Sequence, residues 1–237
     1  MATRVEDLDT PVVTIDLDIM ERTIARWQEY CEEHGIINRP HIKTHKIPAI
    51  AHMQVAAGAN GIACQKLGEA EVFVAAGLKD VLIPYNIVGA QKLERLCRLA
   101  KQARMTVSVD SEVCARGISD AAHREAVEIN LEVECDTGMQ RAGVQTPEEA
   151  AVLARIISRL PAVTFQGWMS YPTSAATVEF FEAATRLVAR DGIEVPMRSG
   201  GGTPHMWKAH TWLPVVNEHR AGTYIFYDRN SVAAGAA

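Results

Sequence analysis

Residues 105–134, MTVSVDSEVCARGISDAAHREAVEINLEVE, read as a strand, a helix and a second strand. The flanks, 105–110 and 128–134, alternate β-branched and polar residues, whereas the stretch between them repeats its apolar residues at helical spacing. A strand, a helix and a strand in about thirty residues make a βαβ unit, whose two strands lie parallel.

Outward from this unit the same alternation continues, with strands near 38–43, 61–65, 80–85, 164–171, 195–199 and 217–222. Together these make eight strands with helical segments between them. Eight successive βα units fit an α/β fold of the (β/α)8 TIM type better than an open doubly wound sheet, which usually has five or six strands. A further strand at 11–17, PVVTIDL, followed by a helix over 19–34, is left over and is expected to pair outside the barrel. Thr146-Pro147-Glu148-Glu149 supplies an N-cap, a first-turn proline and first-turn acids. Gly58 and Gly77 each follow Ala-Ala and can close a helix in a left-handed conformation.

The 237 residues, 48% apolar and 22% charged, suit a globular domain, and no apolar run approaches the ~20 residues of a membrane span. The net charge of −5 argues against nucleic acid or an anionic membrane as the main partner. Five scattered cysteines without C-x-x-C spacing, and an acidic N-terminus unlike a signal peptide, fit a reduced, cytoplasmic setting.

In a barrel of this type the active groups project from the C-terminal strand ends. The first such end, Arg39-Pro40-His41-Ile42-Lys43-Thr44-His45-Lys46, gathers two histidines and two lysines. A basic surface loop would explain them, and so would a nucleophilic Lys43 whose pKa is lowered by burial and by neighbouring cations, with His41 on the same face. A metal pair at His41 and His45 would need i,i+4 spacing on a helix, and this segment reads as a strand running into a loop.

After the seventh strand comes Ser199-Gly200-Gly201-Gly202-Thr203-Pro204, either a flexible loop or a phosphate cradle of glycine backbone and hydroxyl donors. The eighth strand's end would complete that cradle with Arg220, the backbone of Gly222 and Thr223, and the phenol of Tyr224. A lysine on the first strand with a phosphate cradle on the seventh and eighth suggests a phosphorylated aldehyde cofactor, pyridoxal 5'-phosphate. At the fifth strand end, Arg141 can point inward to the cofactor or pair with Asp136 to stiffen its loop. Tyr171, at the sixth, is a pocket residue or a core tyrosine. His205 and His210 lie five apart, the wrong spacing for one helix face, so a structural or peripheral role is favoured over a metal site.

With these residues in hand, the chain resembles the D-threonine aldolase and D-serine dehydratase family, fold-type III pyridoxal-phosphate enzymes with an alanine racemase-like N-terminal barrel. The carriers are residues 7–11 (DLDTP), 39–46, 65–71 (QKLGEAE), 137–141 (TGMQR), 199–204 and 220–224. The resemblance implies that Lys43 holds the cofactor as a Schiff base. It also implies a catalytic surround of His41, Arg141 and Tyr171, and a retro-aldol lyase that cleaves β-hydroxy-D-amino acids to glycine and an aldehyde. Residues 65–70 and 83–89 resemble the aldolase branch more than the dehydratase branch, so a D-serine or D-3-hydroxyaspartate dehydratase is the alternative. A non-catalytic pyridoxal-phosphate homeostasis protein is another.

Ala142 departs from the cysteine usual after the motif arginine. The family also implies a C-terminal β-domain that carries ligands for a divalent metal (Mn, Mg or Zn), and a homodimer acting on a small D-amino acid. The expected organisation is therefore an N-terminal segment at 1–17, a barrel at 18–225, and at 226–237 the start of a truncated β-domain, with the metal ligands outside this chain.

Overall fold

The computed structural model describes residues 4–233 and 235. One sheet contains β1 (Ile37–Asn38), β2 (Ile62–Ala63), β3 (Asp80–Ile83), β4 (Arg104–Val109), β5 (Ile129–Glu134), β6 (Val163–Met169), β7 (Met197–Gly201) and β8 (Glu218–Arg220). All its pairings are parallel, and β1 lies against β8. A parallel bridge between His41 and Ala63, with hydrogen bonds of 2.8 Å from Asn60 N to Asn38 O and from Ala63 N to Pro40 O, joins β1 to β2 and closes the ring. The eight-stranded barrel expected from the alternation is thus the observed fold.

Helices α2 (Pro48–Ala56), α3 (Leu67–Ala75), α4 (Ala90–Ala100), α5 (Glu112–Arg124), α6 (Pro147–Ile157) and α7 (Ala175–Ala189) follow strands one to six in turn. A 3-10 helix, Thr203–Trp212, follows β7, while α1 (Leu17–His34) precedes β1 and the short α8 (Arg229–Ala233) follows β8. Thr146 and Glu149 form the reciprocal capping box at the head of α6, and Gly58 and Gly77 take φ of 123° and 99° behind α2 and α3. The main core lies between the sheet and α3–α7. A second cluster packs Met20, Ile24 and Trp27 of α1 against Met206, Tyr224 and Ile225.

Residues 11–17, expected to pair outside the barrel, form no strand with the described residues: Val12 and Val13 are exposed, and Leu17 already opens α1. Among the described residues the β-branched pattern has no neighbouring edge to pair with. The strand read over 38–43 is also shorter. Its ladder ends with His41 N donating to Ala221 O at 2.9 Å, and Ile42–Thr44 then winds into a 3-10 turn closed by His45 N to Ile42 O at 3.1 Å. At the other end, residues 226–237 were expected to open a β-domain. The described part contains α8, and residues 234, 236 and 237 lie outside the description.

Inside the barrel, charges are stacked where TIM-type interiors are usually aliphatic. Arg39 donates from Nε to Glu218 at 2.7 Å and from Nη1 to Asp80 at 2.6 Å, linking β8, β1 and β3. Ser199 Oγ donates to Glu218 Oε1 at 2.5 Å, and Arg220 reaches both Ser199 Oγ and the Ser170 carbonyl. Glu132, fully buried nearby, has its pKa raised, by desolvation first and then by the Glu218 charge. Both effects favour the neutral form of this carboxyl, which limits the unpaired charge in the interior.

Candidate active site

A cavity of about 270 Å³ opens at the C-terminal end of the strands. Its lining includes His41, Lys43, Arg141, Tyr171, Gly202, Thr203, Arg220, Gly222 and Thr223, nine of the residues singled out in the sequence. The 3-10 turn after β1 presents Lys43 to this space. The walls strip water from its amine and lower its pKa, and the Arg141 and Arg220 guanidinium groups act in the same direction. Lys43 Nζ lies 5.7 Å from the centre of the Tyr171 ring, and the Arg141 guanidinium carbon lies 5.2 Å from it. The aromatic face of Tyr171 thus lies between two cations that repel each other, and adds a cation–π attraction for each.

His41 is buried, and its pKa falls to about 3 through desolvation and then through the charges of Lys43 and Arg220. Its Nδ1 accepts the Lys43 backbone N–H at 3.3 Å. A neutral ring accepting at Nδ1 carries its proton on Nε2. That Nε2 is a buried atom with no hydrogen bond of normal geometry among the described residues.

Beside the lysine turn, the N–H groups of Gly222 and Thr223 converge on the Thr203 hydroxyl at 3.4 and 3.1 Å. Gly222 is required by space, since a Cβ there would stand 2.8 Å from the His41 carbonyl oxygen. Gly202 takes φ of 124°, a conformation that favours glycine, and so lets the backbone turn from β7 into the cavity wall.

Four sequence candidates stand behind this wall instead of in it. Ser199 is buried beneath the cavity and bonded to Glu218 and Arg220. Gly200 and Gly201 serve strand packing, because a Cβ at Gly200 would collide with Thr173 and one at Gly201 would lie 2.7 Å from the Arg220 carbonyl oxygen. Tyr224 points away into the second core cluster, where its hydroxyl accepts from Gln54 Nε2 at 2.8 Å. Alternation along a strand turns neighbouring residues to opposite sides, and the sequence did not reveal which member of each motif faced inward.

Arg141 also departs from the alternative pairing with Asp136. Its Nη2 lies 3.7 Å from Glu134 Oε1, while Asp136 accepts the N–H groups of Gly138 and Gln140 at 2.9 and 3.1 Å. His210 meets Tyr30 through its Nδ1 at 2.5 Å and packs edge-on to His34, whereas His205 packs edge-on to Trp212. Among the described residues no group of three or more His, Cys, Asp or Glu side chains is placed to hold a metal ion. None of the described helices is long and apolar enough to cross a membrane.

Pro204 of the β7 motif also lines the cavity, and the rest of its lining, Gln65, Pro84, Met169, Asp228, Asn230 and Ser231, was not singled out in the sequence. Gln65 had a signal, its place in the 65–71 motif beside β2, but no charge to single it out. Asp228 and Ser231 are tied to each other at the head of α8 by hydrogen bonds of 2.6 and 2.7 Å, a local Asx arrangement with no long-range mark in the sequence.

A closed parallel barrel thus gathers a lysine of lowered pKa, two arginines and a pair of backbone N–H groups in one cavity at its C-terminal end. The chain belongs to the family described as alanine racemase, N-terminal domain, whose model matches residues 15–230. Among curated proteins it is 32% identical to a 3-hydroxy-D-aspartate aldolase of Paracoccus denitrificans (strain Pd 1222), over 94% of this chain and 61% of that protein. It is 35% identical to a D-threonine aldolase of Arthrobacter sp, over 93% and 62%. It is also 32% identical to a D-threo-3-hydroxyaspartate dehydratase of Delftia sp. (strain HT23), again over 93% and 62%. A crystal structure of D-threonine aldolase from Filomicrobium marinum superposes with a TM-score of 0.91 at 34% identity, covering 97% of this chain and 66% of the other. The chain spans about three fifths of the length of these curated relatives.

Proposed function

We propose that the chain is the cofactor-binding barrel of a pyridoxal 5'-phosphate-dependent lyase that cleaves a β-hydroxy-D-amino acid to glycine and an aldehyde. The observation that carries this reading is Lys43, an amine of lowered pKa, in a cavity that Gly222, Thr223, Arg141 and Arg220 also line.

The residues fit the cofactor. Lys43, Arg141 and Arg220 line the cavity and Asp228 is the one carboxylate among the lining residues, which suits a phosphorylated ligand, and the converging N–H groups match a phosphate oxygen. The buried His41 ring, with Gln65 as its side-chain neighbour in the cavity, can donate from Nε2 to an acceptor on the ligand ring. Bound there, pyridoxal phosphate would supply an electron sink for charge left on the substrate Cα.

The protein's own groups have defined tasks. Lys43 holds the cofactor through its amine, and burial keeps a larger fraction of that amine neutral near pH 7 than in free lysine. His41 remains neutral and donates. Arg141 and Arg220 orient anionic groups, and Tyr171 spaces Lys43 from Arg141. In the net reaction the β-hydroxyl loses its proton, the Cα–Cβ bond breaks, and the bonding pair stays on Cα, which takes up a proton to become glycine. A divalent metal would assist the first step, but the described residues offer no group to hold one, and no step is assigned to it.

Similarity to the Delftia dehydratase supports a second reading, in which the Cα proton leaves and the β-hydroxyl departs as water. Reduction of the pyridoxal phosphate-treated chain with borohydride, followed by peptide mass mapping, tests the site: label on Lys43 is expected, and an unlabelled Lys43 in a folded sample overturns the reading. Products from D-threonine and D-3-hydroxyaspartate then decide between glycine with an aldehyde and ammonia with a keto acid.

A further inference from the structure

Glu134 is the last residue of β5, buried at the floor of the loop that carries Arg141. That loop is narrow-necked: Asp136 N donates to Val144 O and Val144 N donates to Glu134 O, both at 2.9 Å. Its return is tightly packed, since a Cβ on Gly143 would stand 2.6 Å from Asp136 N. Within this frame one Glu134 oxygen, Oε1, lies 3.7 Å from Arg141 Nη2, while Oε2 is buried without a hydrogen-bond partner. Arg141 itself is nearly half exposed, and its other contact is the face of Tyr171 at 5.2 Å.

A long, half-exposed arginine has many rotamers, and ordering one of them costs roughly 1–2 kcal/mol of side-chain entropy. A buried carboxylate fixed by the strand can offset that cost, which a flexible surface partner cannot do. We propose that Glu134 is the positioning residue of this site: it acts through Arg141, holding the guanidinium over Tyr171 so that it faces the anionic ligand taken up by Lys43. The role rests on the cofactor assignment above for its consequence in binding, but not for the tether itself.

The charged groups facing Glu134 are Arg141 on its own loop, Asp110 after β4, and Arg220 on β8. Burial, opposed by Arg141 and reinforced by Asp110, lifts the Glu134 carboxyl to about 7. The tether is accordingly ionised above neutrality and weakened below it.

The test compares wild type, Glu134→Gln, Arg141→Gln and the double variant. Affinity for pyridoxal phosphate is read by absorbance, and the rate of phenylglyoxal modification at Arg141 in the cofactor-free chain is read by peptide mass. At pH 8, Glu134→Gln is expected to weaken cofactor binding roughly tenfold with Arg141 present and to change nothing with Arg141 absent. The wild-type advantage should shrink towards unity at pH 6, where a protonated glutamate resembles glutamine. Without cofactor, Glu134→Gln should speed modification of Arg141 several-fold and leave exposed Arg186 unchanged. Glu134→Leu, which removes the buried polar atoms altogether, repeats the comparison if the glutamine folds poorly.

An unchanged Arg141 modification rate, or an equal loss of affinity with and without Arg141, overturns the proposal. Failure of the wild type to bind pyridoxal phosphate overturns the cofactor assignment instead and leaves the modification rate to judge the tether.

Discussion

The Tyr224 hydroxyl separates a structural motif residue from a ligand-binding one. It is fully buried and accepts from Gln54, so Tyr224→Phe should lower unfolding stability by about 1–2 kcal/mol while leaving pyridoxal phosphate affinity unchanged. Denaturant melts with and without cofactor check both halves. A loss of affinity without a loss of stability would place the phenol back in the site. The sequence made Lys43, Arg141 and Arg220 legible because charged residues at strand ends have few structural reasons to cluster. It hid Glu134, because one acid at the end of a strand looks the same in a sequence whether it faces water or an arginine in the wall. Ser199 was legible as important but with the wrong task, since a hydroxyl beside glycines fits a phosphate and an interior ion pair equally well.

At the scale of elements, the turn from β8 into the cavity depends on a close approach of two backbones. Gly222→Ala adds a methyl 2.8 Å from the His41 carbonyl, an atom that cannot swing aside. We expect a destabilisation of about 1–3 kcal/mol together with weaker pyridoxal phosphate binding, although no charge has changed. Thermal melts and absorbance titration measure the two effects. The helix pattern was read well because capping and apolar spacing are local, as at Thr146 and Glu149. The short strands were read less well: β1 and β2 contain two residues each by their ladders. Where a strand yields to a 3-10 turn depends on partners far along the chain, as at Lys43, and local pattern does not contain that information.

For the molecule as a whole, three buried histidines shape the response to acid. Burial is the leading cause of the low pKa of each: about 3 for His41, about 4 for His45 and about 4 for His219. The unfolded chain takes up protons below about pH 6.5 that the folded chain refuses, so these groups remove stability as pH falls from 6.5 to 4. Glu134 has the opposite sign, because the folded chain retains a proton up to about 7 that the unfolded chain has released. His219→Gln should therefore flatten the pH dependence of unfolding free energy between 4 and 6.5 by up to ~1.4 kcal/mol per pH unit, measured by urea melts across that range. An unaltered slope would mean that His219 is protonated in the folded chain. Arg39→Ala should cost about 3–5 kcal/mol at pH 7 by stranding the buried Glu218, as read in the same melts.

The ring is not equally strong around its circumference. β5 and β6 share six paired positions, whereas β1 and β2 meet through one bridge and two flanking amide contacts. A hoop parts at its thinnest seam, and here the seam runs directly below the lysine turn, with Arg39 bolted across it from Glu218 to Asp80. Amide protons of Asn60 and Ala63 would then trade with deuterium ahead of those in β4 and β5. The staves on either side could breathe apart without unfolding the barrel, giving the loop that carries Lys43 the slack to admit and release a bulky ring.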